Sequence, residues 1–251
     1  RAYLGFDATA FPWDTLPVRR EETSNSAVVL TREGGLPGAG QWTHQHGTSA
    51  NTACSDDDRV RLPLGLLWFG GPTNENVLPR HGHGPIPQAS GGRLIVPGVD
   101  TLSARCAYTG RELWVRRFPG IGHPFTNLEL EQRHQQGSYV RMNTPPGGLG
   151  AHYIGSPFVS MPDGIYVRYK TRVFRLDPET GETQAEFALP VSGDQRDSPD
   201  WGHISVWEDL LLVTAGVHVF REDAPDGRFV SMADIRGPDR RATSSSTLLA
   251  Y

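Results

Sequence analysis

GGRLIVPGVDTLSARCAYTGRELW, Gly91 to Trp114, reads as strand, tight turn, strand, Thr-Gly turn, strand. Leu94-Ile95-Val96 is a short apolar run. Leu102, Ala104 and Cys106 alternate with Ser103, Arg105 and Ala107, the two-residue period that turns one face of a strand to a core. Thr109-Gly110 supplies a turn in which glycine takes a positive φ without steric cost. The pattern returns at Asp163 to Phe187, DGIYVRYKTRVFRLDPETGETQAEF, with Ile165-Tyr166-Val167 for the apolar run and Thr180-Gly181 for the turn. It starts a third time at Asp209 (DLLLVTAG) and reappears at Ser244 to Tyr251 (SSSTLLAY), where the sequence stops inside the unit. Repetition of this kind indicates a solenoid, a propeller or an array.

The bulk composition fits. The chain has 251 residues, with 29 Gly, 20 Pro and 37% hydrophobic residues, as many short strands joined by turns require and long helices do not. No apolar run reaches the ~18 residues of a membrane-spanning helix. The net charge is −4 with both signs interspersed, so no basic stripe suits nucleic acid. Arg19-Arg20 and Arg240-Arg241 read as solvated loop charges. The chain opens on Arg1 rather than Met and reads as processed, trimmed or a fragment. Its two cysteines, Cys54 and Cys106, are either free or bridged in an oxidising compartment.

Residues 1–26 show no sustained period and read as an irregular N-terminal arm. Ala27–Arg32 (AVVLTR) is a short strand, Gly34–Gly40 a loop, Pro63–Gly71 (PLGLLWFGG) an apolar strand, and Pro85–Ser90 a further short strand. Residues 123–151 and 217–243 are long inserts. Loops of such length in compact domains are usually functional or disordered. Helix signals are nearly absent; only Asn127–Gln136 suits a turn or two.

Ala104-Arg-Cys-Ala-Tyr-Thr-Gly-Arg-Glu-Leu-Trp114 resembles the pattern Ala-x-Asp-x-x-Thr-Gly-x-x-x-Trp of pyrroloquinoline-quinone-like β-propeller repeats, shared by quinoprotein alcohol dehydrogenases and the outer-membrane assembly propeller lipoprotein. Arg175-Leu-Asp177-Pro-Glu-Thr180-Gly181 matches it with the Asp in place, whereas Cys106 departs from it and Phe187 lies near the expected Trp. Trp42 to Thr52 resembles the opening segment of such propellers, and Leu66-Leu67-Trp68 the strand that follows. The run REGGLPGAGQWTHQHG…PLGLLWFGG…LPRHGHGP also resembles large propeller proteins of planctomycete-type bacteria. The resemblance implies an all-β chain, a β-propeller of quinoprotein-like four-stranded blades, over residues 27–251. About three blades are present, at 42–118, 152–190 and 202–251, so the ring is incomplete. A closed propeller needs typically 4–8 blades.

Two constellations carry candidate chemistry. His44/His46 and His81/His83 are His-x-His pairs; on a strand, i and i+2 share a face, so two imidazoles chelate one ion, with Zn²⁺, Cu²⁺ or Ni²⁺ as suitable metals. The alternative is that these four histidines line the propeller mouth as hydrogen-bonding groups. Asn74, Glu75, Asn76 and Arg80 share the loop FGGPTNENVLPRHGHG and have the chemical types that, by the resemblance, hold pyrroloquinoline quinone and Ca²⁺ on a propeller axis. The alternative there is a solvated turn. Asp194, Asp197, Asp200 and His203 form an acidic loop without an EF-hand pattern. No nucleophile elbow, Walker loop or haem motif occurs. The expectation is therefore an exported, periplasmic or secreted bacterial propeller module that binds a protein partner, or another chain that completes the ring. The rival is a quinoprotein-type oxidoreductase domain.

Overall fold

The computed structural model describes residues 2–4, 17–24, 28–32, 34–73, 76–78, 84–125, 151, 155–188, 200–216 and 247–250. Its elements are almost all strands: β1 (Ala2–Leu4), β2 (Val18–Glu22), β3 (Val28–Arg32), β4 (Gln88–Ser90), β5 (Arg93–Pro97), β6 (Thr101–Cys106), β7 (Glu112–Arg117), β8 (Phe158–Met161), β9 (Gly164–Tyr169), β10 (Arg172–Leu176), β11 (Thr183–Ala188), β12 (Asp200–Trp207), β13 (Leu210–Gly216) and β14 (Thr247–Ala250). A 3-10 turn, His123–Phe125, follows β7. Among the described residues, no helix is long and apolar enough to cross a membrane.

The strands form antiparallel sheets in the orders β4-β5-β6-β7, β8-β9-β10-β11 and β12-β13-β14, with a separate sheet β1-β3-β2. The opening stretch, Gly91–Trp114, covers β5, β6 and the start of β7. Ile95 opposes Ala104 and Ala104 opposes Trp114, all three side chains buried, but Ser103 and Arg105 on the other face of β6 are buried as well, so both faces of this strand are covered. Gly110 and Gly181 both stand at positive φ, 67° and 73°. In each turn the glycine N–H returns to the carbonyl four residues back, Cys106 or Asp177, at 2.9 Å.

Among the described residues, the blade sheets share their apolar clusters with their neighbours. One apolar cluster joins Ile95, Leu102, Ala104 and Trp114 of the first sheet to Phe158, Ile165, Val167 and Leu176 of the second. The opposite face of the second sheet contributes Val159 and Val173 to another cluster, shared with Ile204, Val206, Leu211 and Val213 of the third. Adjacent Phe158 and Val159 therefore face opposite neighbours, as the strand period dictates. Sheets stacked face to face in sequence order, each a meander, are propeller blades. The chain is an all-β, incomplete propeller. The first strands lie at the narrow hub, because β4 and β12 each pack against β8.

Two expectations change. Residues 1–26 are not wholly irregular: Ala2–Leu4 and Val18–Glu22 pair with opposite edges of β3. Pro63–Gly71, although apolar, pairs with no strand among the described residues. Asn127–Gln136, Asp194 and Asp197 lie outside the described residues, as do all but a few positions of the two inserts.

Candidate functional site

The polar stretch Trp42–Gly47 lies against the hub. Trp42 exchanges backbone hydrogen bonds with Ala89 of β4 at 2.7 and 2.9 Å. The Thr43 carbonyl accepts from the Ser160 N–H of β8 at 2.9 Å. The His44 Nε2 accepts from the Val206 N–H of β12 at 3.1 Å, with the Ser205 hydroxyl 3.2 Å away. One short segment thus ties together the first strands of three successive blades. It can do so because the chain reverses at once. Gly47, at φ 96°, pairs with His44, and the Thr43 and His44 N–H groups both donate to its carbonyl.

The protonation of His44 follows from its partners. Thr43 Oγ1 donates its one proton to the Gly47 carbonyl, so it accepts from His44 Nδ1–H, at 2.7 Å. Nε2 accepts from Val206 and carries no proton. Burial first, and then the neighbouring His203 charge, lower the His44 pKa to about 4. The ring is neutral, with both nitrogens bonded to partners within the chain. His46 sits exposed in the turn and its carbonyl accepts from the Ala53 N–H. The same-face argument for His44 and His46 needs an extended strand, and the turn removes it. His203, at the start of the described β12 side chains, is also lowered, by burial and then by Arg168.

Beside this brace the first two blades are joined by a buried polar ladder. Gln88, fully buried, donates from Nε2 to the Phe158 carbonyl at 2.9 Å and to Ser156 Oγ at 3.2 Å, while its Oε1 accepts from the Ser160 N–H at 2.8 Å. The Ser90 and Ser160 hydroxyls lie 2.8 Å apart. Sequence reasoning missed Gln88; its position in a strand between alternating small residues gave only a weak signal.

Of the other candidates, Asn74, Glu75, Arg80, His81 and His83 lie outside the described residues. Asn76 is described, and its Oδ1 accepts from Thr101 Oγ1 at 3.2 Å, pinning its loop to β6. Among the described residues no three His, Cys, Asp or Glu side chains gather as a metal site would require. Cys54 is exposed, Cys106 half-buried, and both are free. Cys106 takes the place that Asp177 holds in the second blade. Asp177 Oδ1 accepts from the N–H groups of Glu179 and Thr180, at 2.8 and 2.9 Å. Burial alone would push the Cys106 thiol up, but the Thr109 hydroxyl, the Tyr108 and Thr109 N–H groups and Arg111 together hold it below the usual thiol range.

No family model matches the chain, and no curated protein matches it. Solved structures similar to it include the quinohemoprotein alcohol dehydrogenase ADHIIG of Pseudomonas putida HK5, at 16% identity and TM-score 0.41 over 72% of this chain and 23% of that one. Another is the quinohemoprotein alcohol dehydrogenase of Comamonas testosteroni, at 14% identity and TM-score 0.40 over 70% and 23%. BamB of Moraxella catarrhalis is similar at 15% identity and TM-score 0.24 over 50% and 40%. The chain spans about a quarter of the length of the two dehydrogenases. Its assignment as part of a propeller rests on its own strand pairing and on the clusters shared between its sheets.

Proposed function

We propose that this chain is an exported propeller module that acts by binding protein, through the loops 123–151 and 217–243, rather than by catalysis. The observation that supports this reading is the use made of the hub. The Trp42 backbone, the Thr43 carbonyl and the His44 Nε2 bond to the chain's own first strands, and His44 Nδ1 bonds to Thr43. Asn76 likewise bonds to Thr101. Donor groups committed to the scaffold are costly to redirect, because each strand group they leave would be buried without a partner. A run of exposed apolar side chains, Leu62–Phe69, also has the character of an interaction surface.

The test is direct. Purified protein is mixed with pyrroloquinoline quinone and Ca²⁺, desalted, and its absorbance and metal content are measured. The binding-module reading expects neither an equimolar quinone band nor an equimolar metal. Equimolar quinone, or equimolar Zn²⁺, Cu²⁺ or Ni²⁺, would replace it with a quinoprotein-type or metal-dependent oxidoreductase. Export is tested separately by fractionating the native host: the reading expects the protein with periplasmic or secreted markers.

A further inference from the structure

We draw no further inference here: the strongest candidate, the exposed apolar run Leu62–Phe69 that Trp68 pins to the first blade through the Ala107 carbonyl, has nothing in the structure to show what covers it.

Discussion

His44 is neutral because its surroundings leave no place for a second proton: Thr43 takes the hydrogen on Nδ1 and Val206 donates to Nε2. Its folded pKa of about 4 lies below the ordinary 6.5, so the unfolded chain binds the proton more readily between those values. The resulting stability is complete above about pH 6.5 and is lost as the pH falls towards 4, about 3 kcal/mol in all. His203, lowered as well, acts in the same direction. Urea unfolding at pH 7 and pH 4.5 should show this loss in the wild type. In His44→Gln, stability should be lower at pH 7 and much of the pH dependence gone; an unchanged dependence would contradict the assignment. The pair His44/His46 was visible in the sequence, but its geometry was not. The i, i+2 rule assumes extended backbone, and Gly47 turns the chain one residue later. Cys106 was legible as a departure from the repeat, yet only the structure shows that the Thr109 hydroxyl and the Tyr108 and Thr109 N–H groups still surround that position and lower its pKa.

At the level of the turn, the Thr-Gly pairs were the most readable feature, because glycine was required twice over. At Gly181 the backbone is left-handed and the Trp114 ring lies where a side chain would begin. Gly181→Ala should cost about 3 kcal/mol, combining strain with forced displacement of the indole. Gly34, at φ 69° with nothing within 4 Å of a would-be Cβ, provides the control. Gly34→Ala should cost only about 1 kcal/mol, from strain alone. Equal losses by equilibrium denaturation would show that the dock on Trp114 contributes nothing. Leu64–Phe69 illustrates the opposite case. Its composition predicts a strand, but a strand exists only when another chain segment answers its N–H and C=O groups, and sequence does not name that segment. β2 failed for the converse reason: Val18–Glu22 carries four charged residues and no apolar alternation, while pairing of Arg19 with Glu21 and of Arg20 with Glu22 keeps its charges solvated at the surface.

Across the whole molecule, stability resides between sheets rather than within them. Repetition in the sequence revealed the blades; it could not reveal that Phe158 and Val159 serve different cores, because alternation marks two faces without saying what covers each. Since Trp114, Leu102 and Ala104 share a cluster with Ile165 and Val167, the first two blades should open together. Native-state hydrogen exchange should give the amides of β6 and β9 the same opening free energy. A gap of more than about 1 kcal/mol between them would indicate blades that unfold singly. The segment Trp42–Gly47 adds a consequence in time. It emerges in synthesis before each strand it fastens, and its bond to Val206 spans 162 positions of chain. Contacts of such separation form late, since the loop they close must first be made. A nascent chain therefore carries this segment with its partners not yet translated, and the hub is sealed only after β12 has left the ribosome.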